Sequence, residues 1–251
     1  MNRKLIIALI ISTLSGLSTL LGYLIIFVKI KDLNKYISFF LTFSFSIMTN
    51  LSIFELIPES VIYFSHKYNF IISALIALFT LISVKILIEK TSRVVKAKSK
   101  SSSNLYNIGI LSTIVLFLHN VPEGIATFVS SYNDIKLGIS LALAIIMHNI
   151  PEGINIVVPI YYSTYDKKKA FKYVLISALA EPIGAILTYL LLYRFINDTF
   201  LNIILLIVSS IMITISINEI YPESIKYNNE KLNKKAYILG MLFVIISIFI
   251  L

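Results

Sequence analysis

Eight times along this chain an apolar run recurs that is close to the roughly 20 residues a helix needs to cross a bilayer. The runs lie near residues 5–28, 36–57, 70–89, 106–130, 136–160, 170–194, 199–220 and 235–251, with short polar breaks between them. Backbone groups in lipid must be hydrogen-bonded within their own segment, so each run is expected to be a helix. Only 14% of the 251 residues are charged, against about 25% in soluble domains, which leaves no room for a separate soluble domain. The expected fold is an all-α polytopic membrane protein, one eight-helix domain over residues 1–251. Arg3 and Lys4 before the first run resemble a signal peptide. That run is too long for a signal's apolar region and no small-residue cleavage site follows, so it is taken as the first spanning helix.

The net charge of +9 could suggest nucleic acid, but its distribution excludes that reading. Lys29, Lys31, Lys35, Lys90, Arg93, Lys96, Lys98, Lys100, Lys167, Lys168, Lys169, Lys172, Lys226, Lys231, Lys234 and Lys235 fall in the breaks after runs 1, 3, 5 and 7. Only Arg3, Lys4, Lys67, Lys136 and Arg194 lie on the opposite face, and Lys85 near the basic end of run 3 can snorkel. The positive-inside rule puts the sixteen in the cytoplasm and both termini outside the cytoplasm, in a multi-pass plasma-membrane protein. The longest break, residues 90–105, is rich in Ser and Lys and reads as a flexible cytoplasmic loop.

Within this apolar background His119-Asn120-Val121-Pro122-Glu123-Gly124 returns as His148-Asn149-Ile150-Pro151-Glu152-Gly153, halfway along runs 4 and 5. On a helix the His, Asn and Glu of each copy share one face, because they stand three and four residues apart. Pro122 and Pro151 have no N–H, which frees the carbonyls of Leu118 and Met147. Such oxygens are tolerable only where they line a cavity or meet a ligand. Ala180-Glu181-Pro182 adds a third carboxylate in run 6. Each buried carboxylate costs about 2.5–3.5 kcal/mol at the midplane, and no Lys or Arg lies near the middle of these runs. Protons or an external cation must supply the counter-charge. Two histidines beside the carboxylates suit a divalent metal such as Zn²⁺, Fe²⁺ or Mn²⁺, and the absence of Cys argues against Cu⁺.

A second repeat pairs Glu55-Leu-Ile-Pro58-Glu59-Ser60, ending run 2, with Glu219-Ile-Tyr-Pro222-Glu223-Ser224, ending run 7. The two copies end on opposite membrane faces. Together the repeats predict an inverted 3+2+3 architecture, with runs 1–3 matching 6–8 around a central pair and a binding site at the midplane. Glu55, Glu59, Glu219 and Glu223 are either entrance and exit carboxylates or helix-end charges. His66, Glu89 and Asp134 are read as loop or interfacial residues.

At these motifs the chain resembles the ZIP (Zrt-, Irt-like protein) metal-transporter family, and within it the bacterial ZupT type, over essentially its whole length. The resemblance implies uptake of zinc, with iron, manganese, cobalt or cadmium also accepted, into the cytoplasm through a binuclear site. The metal is substrate, with no prosthetic group and no enzymatic activity. Carried over, the first metal is held by His119, Glu123, His148 and Glu152. The second is held by Asn120, Asn149 and Glu181, with Glu123 and Glu152 as bridges, and Met48 falls where relatives supply a thioether. Family analogy also implies a symmetric homodimer. One departure is that the loop between runs 3 and 4 holds no histidine, which puts metal sensing by that loop in doubt. Two other readings stay open. An intramembrane metalloenzyme needs a two-His helix motif that is absent here. A proton-linked solute carrier would use the same His and Glu groups as relays.

Overall fold

The computed structural model describes residues 3–28, 32–99, 105–192, 196–227 and 229–250. Its elements are α1 (Arg3–Leu17) continued by a 3₁₀ turn (Ser18–Phe27), α2 (Leu33–Leu51), α3 (Ile57–Lys67), α4 (Phe70–Ser99), α5 (Leu105–Asn133), α6 (Ile135–Thr164), α7 (Lys167–Ala178), α8 (Ala180–Leu187), α9 (Asp198–Ile215), α10 (Tyr221–Ile225) and α11 (Glu230–Ile250). Among the described residues there is no strand. Seven rods among the described residues are long and apolar enough to cross a membrane, and the 21-residue α11 packs along α2. Two expected boundaries move. The second rod runs on to Lys67, and α4 continues to Ser99 because the Lys and Ala that follow its apolar stretch are themselves helix formers. Residues 90–99 of the expected loop are therefore helical, and residues 100–104 lie outside the described residues, as do Lys29, Lys31 and Arg194.

Short polar residues set the helix starts. Asp134 caps α6 by accepting from Lys136 N, Asp166 caps α7 through Lys169 N, and Asn197 caps α9 through Phe200 N. The α6–α7 turn closes on Tyr165, whose φ of 51° is left-handed. Between α2 and α3, and again between α9 and α10, the helix widens to π geometry over Ser52–Leu56 and Ser216–Ile220. Pro58 and Pro222 explain both. Each removes an N–H and crowds the carbonyl four residues back, and a wider turn relieves the clash without breaking the rod.

Packing follows an inverted two-fold pattern. The central α5 and α6 lie against each other. Rod 1 packs on α5 and α6, and α7–α8 pack on the same two helices from the other half of the chain. Partners on the outside are exchanged, since α4 lies on α9 while α11 lies on α2. Ser60 Oγ stands 3.1 Å from Asn202 O and Ser38 Oγ 3.0 Å from Ser224 O, each hydroxyl sharing its proton with a second acceptor, Leu56 O (3.0 Å) and Asn233 Oδ1 (2.6 Å) respectively. In the repeat Ser60 corresponds to Ser224 and Ser38 to Asn202, so the two bonds are one contact made twice. The rods α2–α3 (rod 2) and α9–α10 (rod 7) are therefore antiparallel neighbours related by the pseudo-axis. Their similarity extends beyond the hexapeptide: residues 46–60 and 210–224 are identical at nine of fifteen positions.

Candidate metal centre

The hexapeptide copies face each other midway along α5 and α6, and neither helix is interrupted by its proline. His119, Asn120, Glu123, His148, Asn149, Glu152 and Glu181 are all fully buried. His119 Nε2 lies 3.1 Å from Glu123 Oε1 and 3.7 Å from Glu152 Oε1, and His148 Nε2 lies 3.2 Å from Glu123 Oε1. The cross-helix contacts His148–Glu123 and His119–Glu152 are symmetry mates, so the pseudo-axis passes through this cluster. Ligand atoms of His119, His148 and Glu152 fall within 4.8 Å of one another. Donors held at about 2.0–2.2 Å from one ion stand roughly 3–4 Å apart, as the His–Glu pairs here do.

Asn149 joins the third carboxylate to the cluster, its Nδ2 donating to Glu181 Oε1 (2.5 Å) and to Ser15 O (3.1 Å). Many acceptor and donor atoms here have no hydrogen-bond partner: both imidazole Nδ1 atoms, Glu123 Oε2, both oxygens of Glu152, Glu181 Oε2, Asn149 Oδ1 and the whole Asn120 amide. Native interiors leave few such groups, and each calls for an explanation such as an ion. Among the described residues no Lys or Arg pairs with any of the three glutamates. The cluster is a set of oxygen and nitrogen donors with excess negative charge, closed to water and suited to a cation.

Met48 is fully buried, but its sulfur accepts from Ser44 Oγ (3.7 Å) and it packs in the apolar core with Leu51, Ala144 and Ile145. Its depth is nevertheless that of the cluster. Ser140 Oγ donates to Glu55 Oε1 (3.1 Å) between antiparallel rods. Seven residues back along α2 and seven forward along α6, each a rise of about 10 Å, bring Met48 level with Met147. Glu55 is thus a half-buried, bonded group. Glu59 is exposed in the first turn of α3, and Glu223 pairs with Lys226 (2.5 Å) near the end of α10. The side chain of Glu219 lies outside the described residues. His66 ends α3, exposed, with Nδ1 2.8 Å from Ile62 O.

Sequence reading missed a third repeat. Ser15-Gly-Leu-Ser-Thr19-Leu-Leu-Gly22 matches Ser177-Ala-Leu-Ala-Glu181-Pro-Ile-Gly184. Close backbone contacts fix its register. A Cβ on Gly124 would stand 2.1 Å from Glu181 O, and one on Gly153 would stand 2.1 Å from Thr19 O. A Cβ on Gly184 would meet Val121 O at 2.3 Å, and one on Gly22 would meet Ile150 O at 2.6 Å. The glycines of the hexapeptides let α8 lie directly against α5 and the Ser18–Phe27 turn directly against α6. The signal was present in the sequence, but it consists mostly of small residues. Met212 likewise occupies the place of Met48 in the second half and is fully buried.

A profile described as "ZIP Zinc transporter" matches residues 96–250. The "Zinc transporter ZupT" of Oceanobacillus iheyensis is 50% identical over 148 residues, covering 59% of this chain and 55% of that protein. The protein of the same description from Streptococcus mutans is 36% identical over 261 residues, covering 99% of this chain and 98% of its own. That of Lysinibacillus sphaericus is 35% identical over 268 residues, covering 100% of each. All are described as transporters, not enzymes, so the metalloenzyme reading falls away. With its fold, its duplicated donor set and these full-length matches, the chain belongs to the ZIP zinc transporter family.

Proposed function

We propose that the protein carries divalent metal ions, zinc foremost, across the plasma membrane into the cytoplasm. The observation that carries this reading is the donor cluster: three fully buried glutamates and two histidines, with no basic side chain paired to the glutamates among the described residues. Relatives named as zinc transporters support zinc as the substrate. An entering ion exchanges its water for His119, Glu123, His148 and Glu152, and a second ion is held by Asn120, Asn149 and Glu181 with the central glutamates as bridges. The nitrogen-and-oxygen donors also accept iron, manganese, cobalt and cadmium. Eight spans with both termini outside, and a homodimeric assembly, complete the proposal. The basic residues of the breaks support the orientation.

The test is uptake of radioactive zinc and iron into proteoliposomes by wild type, Glu123→Ala and Glu152→Ala. Saturable uptake by wild type and its loss in both variants is expected. A folded, reconstituted wild type that moves neither metal sinks the proposal and favours a proton-linked solute carrier, which would also purify free of bound metal.

A further inference from the structure

The third repeat makes Thr19 the pseudo-symmetric counterpart of Glu181, and its hydroxyl lacks the bond that the other buried threonines make. Its Oγ1 is fully buried without a hydrogen-bond partner. Every other buried threonine among the described residues (Thr42, Thr113, Thr127, Thr188 and Thr214) bonds to the carbonyl four residues back. That carbonyl, Ser15 O, is already taken by Ser18 Oγ (2.5 Å) and Asn149 Nδ2 (3.1 Å), which uses both of its lone pairs.

Across the pseudo-axis, the bond from Asn149 to Glu181 should recur as one from Asn120 to Thr19. It does not. Threonine is two bonds shorter than glutamate, and both Asn120 and Thr19 are left unsatisfied. Two buried polar groups thus stand at mirrored positions with a gap where the other half has a direct bond. Leaving them so costs about 1–3 kcal/mol per group, unless a cation or its bound water fills the gap.

We propose that Thr19, with Asn120, forms a neutral half-site for the divalent cation, the mirror of Asn149–Glu181. This rests on the transport reading above. Thr19 lies level with Gly153, beyond Glu152 from the start of α6, and Glu181 lies level with Gly124 in the opposite half. In the proposed orientation the carboxylate half-site faces outward and the hydroxyl half-site inward. The ion is captured by charge and released past a weak neutral oxygen.

Zinc titrations of the purified full chain and zinc uptake into proteoliposomes, with melting temperatures alongside, test this with Thr19→Val, Thr19→Ser and Thr19→Glu. Valine keeps the shape and removes the oxygen. It should reduce uptake about five-fold, the worth of one hydrogen-bond-class contact, with an unchanged melting temperature. Serine should retain wild-type uptake. Glutamate should bind zinc at least roughly ten-fold more tightly while turning over more slowly. Wild-type affinity and uptake in Thr19→Val overturn the half-site, and so does a loss that only tracks a fall in melting temperature. If wild type itself neither binds nor moves zinc, the transport reading fails and the half-site with it, a result distinct from failure of Thr19 alone.

Discussion

Substituting Gly124 by alanine tests whether the glycine of the first hexapeptide exists to seat Glu181. The added Cβ would stand 2.1 Å from Glu181 O and 2.5 Å from its Cα, where real Cβ contacts begin near 3.0 Å. Both obstacles are backbone, so no rotamer change relieves the clash and α8 must retreat from α5 by about 1 Å. Overpacking of this kind costs roughly 1–3 kcal/mol, set against a gain of about 1 kcal/mol in helix propensity. The displacement acts on the residue whose Oε1 lies 2.5 Å from Asn149 Nδ2, and a 1 Å shift breaks that bond. Gly153→Ala presses equally hard on Thr19 O but moves no carboxylate. Thermal melts in detergent should therefore show similar losses for the two variants, at about 2–4 °C per kcal/mol. Zinc titrations should show the larger loss of affinity in Gly124→Ala. Wild-type melting and wild-type affinity in Gly124→Ala would refute the reasoning, and equal affinity losses would show that Glu181 is not what the glycine serves.

Ser38→Ala and Ser60→Ala each remove one copy of the contact between rods 2 and 7. Each should cost about 1 kcal/mol by thermal melts, Ser38→Ala the more because it also frees Asn233 Oδ1, and no loss in either variant would contradict the packing contact. Met48→Leu and Met212→Leu conserve volume, so uptake of zinc should persist while preference for cadmium over manganese falls. An unchanged metal ratio in both variants removes the thioethers from the path. Imidazole and carboxylate bind metal only after losing their protons, so zinc affinity should fall as pH is lowered from about 7.5 to 5.5, and pH-independent titration curves would contradict proton–metal competition. Zinc at 100 times its Kd should stabilise the protein by about 2.7 kcal/mol, and a chelator should abolish the shift. A melting temperature indifferent to both would deny a native-state site.

The donor cluster was legible because its chemistry is conspicuous in an apolar setting. Two His-Asn-x-Pro-Glu-Gly copies and Ala-Glu-Pro stand out among leucines and isoleucines, and helical spacing alone puts their polar atoms on one face. The structure brings His119, Glu123, His148 and Glu152 together and joins Asn149 to Glu181, while Asn120 is buried on the same helix as His119. The match of Ser15–Gly22 with Ser177–Gly184 was not noticed, because its only carboxylate is replaced by a threonine and the remainder is small residues. Their meaning lies in backbone approach, which a residue's identity signals only weakly. The exchange of outer partners, α4 on α9 and α11 on α2, was not legible either. Lipid-facing and helix-facing surfaces are both apolar in a membrane, so hydrophobic periodicity does not mark which face is packed. The end of α4 was misjudged for a different reason: lysines and serines announce the bilayer surface, not the end of a helix.

Mirrored contacts also carry an energetic corollary. Exchange the geometries within each pair, Gly124 with Gly153 and Ser60–Asn202 with Ser224–Ser38, and the inventory of bonds and close approaches is unchanged. A conformation reached by such an exchange is nearly degenerate with the first. Its population is then decided where the halves fail to match, among them Glu181 against Thr19, Ser44 against Val208, Asn50 against Thr214 and Phe54 against Asn218. A difference of about 1.4 kcal/mol at any of these positions shifts the ratio ten-fold. The balance between two shapes of the whole molecule is thereby delegated to the unmatched side chains, and point substitutions there retune it without touching the mirrored contacts.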